Sequence, residues 1–205
     1  MATIVDGDLG VERADELRTG GIVAWDTETS GLDWVHDRLG TCQVRGLSSS
    51  IDVVQVADRT PRILSALLAD DSVVKVMHHA PFDLRFMRRS WGTRAANVRC
   101  TKIASKLLRP TAPSRDHSLG ALTRRYLGID LDKGSVRTSD WSSSSLTPEQ
   151  VTYAAGDVEN LLELYDVLVA ELETMNRREL FEECCAFLPA QVEVSMLGLD
   201  DAFAY

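Results

Sequence analysis

The segment IVAWDTETSGL, residues 22–32, constrains the fold more than any other stretch of the chain. It opens as a buried strand and then sets Asp26 and Glu28 two residues apart at its end. In an extended strand, side chains two apart point to one face. The two carboxylates therefore converge, and like charges brought that close repel unless something cationic lies between them. Either the strand ends in solvent or it ends at a divalent metal ion.

The flanking pattern predicts an α/β framework. GGIVAWDTE reads as the first strand after a glycine turn, and GTCQVRGL and SSSIDVVQVAD alternate as the next two, joined at LSSS. PRILSALLAD predicts a short helix opened by Pro61, DSVVKVMHH a fourth, buried strand, and APFDLRFMRRSW a helix with Pro81 near its start. NVRC predicts a short fifth strand leading into the helix TKIASKLLR. Beyond Leu107 only helices and loops are expected. DHSLGALTRRYLGI is a helix ended by Gly128, and the serine-rich connection after it reads as an ordered loop because it contains Trp141. One long helix follows, capped by Thr147 with Gln150 completing a capping box, and carrying an apolar stripe from Val151 to Leu172. A last helix is expected to bend or break near Pro189.

The 205 residues, 44% hydrophobic and 26% charged, have the balance of a single soluble domain spanning 1–205. No apolar run approaches membrane-spanning length, and MATIVDGDLG lacks the basic start and apolar core of a secretion signal, so a cytoplasmic address and no membrane partner are expected. Cys42, Cys100, Cys184 and Cys185 have no metal-ligand spacing and read as reduced thiols. The formal net charge of −9 speaks against a protein that tracks long nucleic acid, which needs a basic surface to neutralise phosphates. A nucleic-acid substrate would be short, or gripped locally by metal ions and a few Arg or Lys side chains.

Two more segments offer acids at working positions. Asp83 stands near the start of the predicted helix after VVKVMHHA, where an interaction with the helix dipole would also suit it. Asp157 lies in YAAGDVENLL with Tyr153 four residues before it, hence on the same helix face. Each has an ordinary explanation alone. Together, DTE (Asp26, Glu28), HHAPFD (Asp83) and YAAGD (Tyr153, Asp157) resemble the DEDD superfamily of 3′–5′ exonucleases, in the subclass whose last motif carries tyrosine. HSLGAL, LDKGSVRTSDW and LTPEQVTYAAGDVENLLELY are similar to the ribonuclease D branch. DRLGTCQV, CTKIASKL and the ending CCAFLPAQVEVSMLGLDDAFAY resemble its nano-RNase C (NrnC) group, small members that cleave dinucleotides. Cys100 departs from the branch, where an acid often precedes the threonine of CTK.

The resemblance implies an α/β, RNase H-like fold, a mixed β-sheet flanked by α-helices. It also implies a homo-oligomer, because relatives assemble into ring-like octamers. The chemistry it implies is phosphodiester hydrolysis with two divalent cations, Mg²⁺ or Mn²⁺, about 4 Å apart, one on the attacking hydroxide and one on the leaving oxygen. Hard cations take oxygen ligands, which suits Asp26, Glu28, Asp83 and Asp157. In that assignment Asp26 bridges both ions, Glu28 and Asp157 complete the nucleophile-side site, and Asp83 holds the second ion partly through water. Tyr153 orients the attacking water.

Leu32 occupies the position where relatives wedge an apolar side chain between terminal bases, and it reads equally as a loop leucine on the sheet. Phe82 and Trp34 are candidates for base stacking, Phe82 also for the core. Arg109, Arg115 and His117, in or beside RPTAPSRDHSL, are either a basic contact to a 5′-phosphate or a solvated loop. His78 and His79 read as structural or substrate-contacting. The expected partner is very short RNA, down to dinucleotides. The competing readings are a general 3′–5′ exonuclease on longer single-stranded RNA or DNA, and a non-catalytic nucleic-acid-binding domain, against which the full set of carboxylates speaks.

Overall fold

Val23, Ala24 and Trp25 alternate sides of one strand and are all buried, so that strand must be covered on both faces. It is an inner strand of a six-stranded sheet. The computed structural model describes residues 2–56, 59–131, 139–141, 143, 145–199 and 201–203. The strands are β1 (Ala2–Asp6), β2 (Ile22–Thr29), β3 (Leu39–Arg45), β4 (Ile51–Gln55), β5 (Val74–Met77) and β6 (Val98–Cys100), in the order β1-β4-β3-β2-β5-β6. β2, β3 and β4 form an antiparallel run, while β1 joins β4, β5 joins β2 and β6 joins β5 in parallel. This is the mixed sheet of an RNase H-like fold.

The first strand in the chain was not expected, and neither was the helix α1 (Val11–Gly20) that follows it. β1 is an edge strand with little of its surface buried, and α1 buries only Ala14 and Leu17. Neither has enough apolar periodicity to stand out in the sequence. The other helices are α2 (Arg62–Ala69), α3 (Pro81–Trp91), α4 (Thr101–Leu108), α5 (Leu119–Leu127), α6 (Pro148–Glu159), α7 (Leu161–Thr174) and α8 (Arg178–Met196), with a 3-10 turn at Ser114–His117.

Two helical expectations are corrected. The long helix after Thr147 is two helices that meet at Asn160. Arg45, at the end of β3, donates to the carbonyl of Glu159 and forks onto both carboxylate oxygens of Glu163, at 2.7 and 2.6 Å. One guanidinium thus takes a helix-end carbonyl that needs a partner and pins the start of the next helix. The last helix, in contrast, runs through Pro189 without a break. It is held against α3 by Arg88, whose Nε and Nη2 donate to Glu193 at 2.7 and 3.2 Å. The capping box is present as read: Thr147 Oγ1 accepts from Gln150 N at 3.2 Å, and Gln150 Oε1 accepts from Thr147 N at 2.9 Å.

Of the polar connection, residues 132–138, 142 and 144 lie outside the described residues, including most of LDKGSVRTSDW. Ser139, Asp140 and Trp141 are described, and Trp141 is buried in the core as its reading required. β2 and β3 slip register between Glu28 and Thr29, with Thr41 opposite Glu28, Leu39 opposite Thr29, and Gly40 as the extra residue. Such a bulge re-aims the strand, here at the end that carries the acids. Among the described residues no helix is long and apolar enough to cross a membrane.

Candidate active site

β2 carries Asp26 and Glu28 with Thr27 between them, and the alternation turns Thr27 away from the two acids. Thr27 Oγ1 donates to Asp83 Oδ1 at 2.6 Å, and both residues are buried. Asp83 reaches this place because α3 starts directly after β5. His79 takes a left-handed backbone conformation, with φ of 65°, which is uncommon for a residue with a side chain. Its carbonyl accepts from Phe82 N at 2.9 Å, and Pro81 then opens α3 with Asp83 in the first turn.

α6 lies across β2, β3 and β4 and brings the third segment. One carboxylate oxygen from each of Asp26, Glu28 and Asp157 lies within 4.8 Å of the other two, and all three residues are half-buried. Tyr153, one turn before Asp157, lines the same cleft of about 520 Å³, together with Asp83, Leu32 and Phe82. The Tyr153 ring packs on Trp141, with centroids 5.8 Å apart and planes tilted by 41°.

Burial raises the pKa of Asp83 to about 7; the Thr27 hydrogen bond opposes the rise and the negative charge of Asp157 adds to it. Burial likewise lowers His79 to about 4, helped by the positive charges of Lys102, Arg85 and Lys106, so the imidazole is neutral at pH 7. A second cavity of about 420 Å³ shares Asp26, His78, His79 and Asp157 with the first. Its remaining walls are Lys102 and the segment Ser118, Leu119 and Gly120 at the start of α5. Lys102 has its pKa lowered by burial and by Lys106, one turn along α4.

The predicted site residues divide clearly. Asp26, Glu28, Asp83, Tyr153 and Asp157, from three separate segments, meet in one cleft. Leu32 lines it and is 79% exposed, so it is not packed away on the sheet. Phe82 lines it too, stacked on His79 at 6.4 Å and touching Phe86 in the core at 4.9 Å. Trp34 is half-buried against the core and is not among the cleft residues.

The basic contact read at Arg109, Arg115 and His117 is not assembled here. His117 is 3% exposed and hydrogen-bonded through Nδ1 to Ser105 Oγ at 2.7 Å, an internal tie between the 3-10 turn and α4. The Arg115 side chain is 88% exposed, and both it and Arg109 face Asp116, at 3.8 and 3.3 Å. Among the described residues, a cation that does line a cavity beside the acids is Lys102, which sequence reasoning passed over. Its only local signal is the pair Lys102 and Lys106 on one face of the helix in CTKIASKL.

The sequence pattern of a family described as 3′–5′ exonuclease matches residues 3–173. Ribonuclease D of Pseudomonas paraeruginosa is 34% identical over 176 residues, 84% of this chain and 45% of its own length. The chain thus spans about half the length of the curated relatives it matches. Brucella melitensis NrnC with bound Mg²⁺ superposes with a TM-score of 0.90 at 33% identity, covering 100% of this chain and 99% of that one. The same nuclease bound to pGG gives a TM-score of 0.91 at 34% identity, covering 100% and 98%.

Proposed function

The chain belongs to the 3′–5′ exonuclease family, on the branch of ribonuclease D and NrnC, and we propose that it hydrolyses very short RNA, down to dinucleotides, from the 3′ end to mononucleotides with divalent cations. The observation that carries the proposal is the convergence of Asp26, Glu28 and Asp157 within 4.8 Å, in a cleft shared with Tyr153 and Asp83. Three half-buried carboxylates in that space repel one another, and oxygen-only donors suit Mg²⁺ or Mn²⁺. Asp26, Glu28 and Asp157 would hold such ions, with Asp83 buried beside them. The chemistry the ions supply is Lewis acidity toward water and neutralisation of charge at the leaving oxygen.

The chain's own residues do the rest. Tyr153, on the turn of α6 before Asp157, orients the attacking water through its hydroxyl, which both donates and accepts. The P–O3′ bond breaks as the water oxygen joins phosphorus, and the 3′-terminal nucleotide leaves with the new phosphate oxygen. Leu32 and Phe82 contact the bases at the exposed side of the cleft, and Lys102 offers a charge-assisted donor to a phosphate in the adjoining cavity.

Short RNA is favoured over a long strand for two reasons. The net charge of −9 leaves little basic surface to track a long backbone, and an NrnC of the same length and fold is bound to pGG. The proposal takes residues 1–205 as one exonuclease domain. It includes a homo-oligomer, an octamer by analogy with the group, supported by exposed apolar side chains near the end of the chain, Leu197 and Phe203 among them. Four free cysteines suit a reducing compartment, hence the cytoplasm.

The test is cleavage of a 5′-labelled RNA dinucleotide by the purified protein with Mn²⁺ or Mg²⁺, beside Asp26→Ala and Asp157→Asn. Metal-dependent release of mononucleotide is expected from the wild type. Both variants should fall by three orders of magnitude or more while keeping their circular dichroism spectrum. Wild-type activity in either variant contradicts the proposal.

A further inference from the structure

To orient water, as in the reading above, Tyr153 needs a fixed place. Its ring packs on the buried Trp141, 5.8 Å away, and Trp141 sits in the connection just before α6. That connection is tied to α6 by Gln150, whose Nε2 donates to Ser139 Oγ at 3.0 Å and to the Asp140 carbonyl at 3.1 Å. The same Gln150 closes the capping box with Thr147, so the start of α6 and the Trp141 segment are held as one piece.

The sheet supplies the other half of the clamp. Gly40 is the extra residue of the β2–β3 bulge, opposite Glu28 and Thr29, and its carbonyl accepts from Val56 N at 3.1 Å. A Cβ built on Gly40 would fall 2.8 Å from the Trp141 carbonyl carbon, closer still to its oxygen, and 3.1 Å from its Cβ. Only glycine lets the two backbones approach this closely. The bulge beside the acids is therefore also the seat of Trp141.

We infer that Trp141, seated on Gly40, is a positioning residue for Tyr153: it sets the phenol over the carboxylates and so acts on turnover without touching substrate or metal. The inference rests on the exonuclease reading above. It is separate from the carboxylates, because neither Trp141 nor Gly40 is a ligand in that reading.

The experiment measures kcat and KM on a 5′-phosphorylated RNA dinucleotide with Mn²⁺ for the wild type, Trp141→Ala, Trp141→Phe, Gly40→Ala, Tyr153→Phe and the double variant Trp141→Ala/Tyr153→Phe. Mn²⁺ binding to each is measured by calorimetry. Trp141→Ala and Gly40→Ala should lower kcat about 10- to 100-fold, the scale of a misplaced catalytic group, with KM and Mn²⁺ binding within about twofold of the wild type. Trp141→Phe, which keeps a ring against Tyr153, should restore most of the loss. In the Tyr153→Phe background, Trp141→Ala should cost nothing further, because its effect passes through the phenol.

Three results would overturn the inference: an unchanged kcat in Trp141→Ala and Gly40→Ala, losses that multiply in the double variant, or Mn²⁺ binding that falls in step with kcat. If Trp141→Ala does not fold, Gly40→Ala combined with Tyr153→Phe completes the same cycle. A wild type that cleaves no dinucleotide, or none with metal, is a different failure. It removes the exonuclease reading and this inference with it.

Discussion

Asp83 is a site carboxylate held well away from water. It is 2% exposed, bonded to Thr27, and its pKa is raised to about 7. An acid whose folded-state pKa lies above its unfolded value stabilises the fold fully below the unfolded value and loses that contribution as pH rises through the folded one. Without added metal, Asp83 should therefore make the protein lose stability between about pH 4 and pH 7. Other groups titrate in that window, His79 with the opposite sign because its pKa is lowered. The informative quantity is the difference between the wild type and Asp83→Asn. The wild-type melting temperature, measured in a chelator, should fall relative to that of the variant from pH 4 to pH 7; parallel profiles would show that Asp83 is not buried as an acid. The site acids were legible in the sequence because each sits in a short local motif with a characteristic neighbour. Lys102 was not, because what makes it a cavity residue is that α4, the His78–His79 segment and the start of α5, far apart in sequence, wall one cavity.

At the scale of elements, capping chemistry and one arginine distant in sequence decide where helices begin and end. Thr147→Ala removes the cap of α6 and should cost about 1 kcal/mol, seen as a lower melting temperature, while activity at 25 °C is retained because Gln150 Nε2 still ties the Trp141 segment to α6. A lost activity at unchanged stability would mean that the cap serves the site directly. The start of α6 was readable from Thr147, Pro148 and Gln150, because capping is local. Its end was not, because the partner that terminates it is Arg45, more than a hundred residues earlier in the chain. Pro189 misled in the opposite sense. A proline inside a helix removes a donor, but packing against α3, with the Arg88–Glu193 pair beside it, keeps α8 in one piece. β1 and α1 escaped notice because an edge strand and a mostly exposed helix leave weak hydrophobic patterns. The inner strands, buried on both faces, leave strong ones.

For the molecule as a whole, the proposed reaction brings an acidic chain and an anionic substrate together through cations. Metal should therefore stabilise the protein as well as activate it. A ligand that binds only the folded state adds about 2.7 kcal/mol at a concentration a hundred times its dissociation constant. Mn²⁺ titration should raise the melting temperature of the wild type and have much less effect on Asp157→Asn. An equal rise in both would place the metal elsewhere. The same sparing basic surface underlies the proposal that the substrate is a very short RNA. The most direct measurement is the rate of cleavage of 5′-labelled RNAs of two, three, seven and about twenty nucleotides, each with Mn²⁺ or Mg²⁺ and with Asp26→Ala as control. The dinucleotide is expected to be consumed much faster than the longest strand, with mononucleotide released from the 3′ end. A ladder of similar speed on every length, or cleavage that survives in Asp26→Ala, would contradict it.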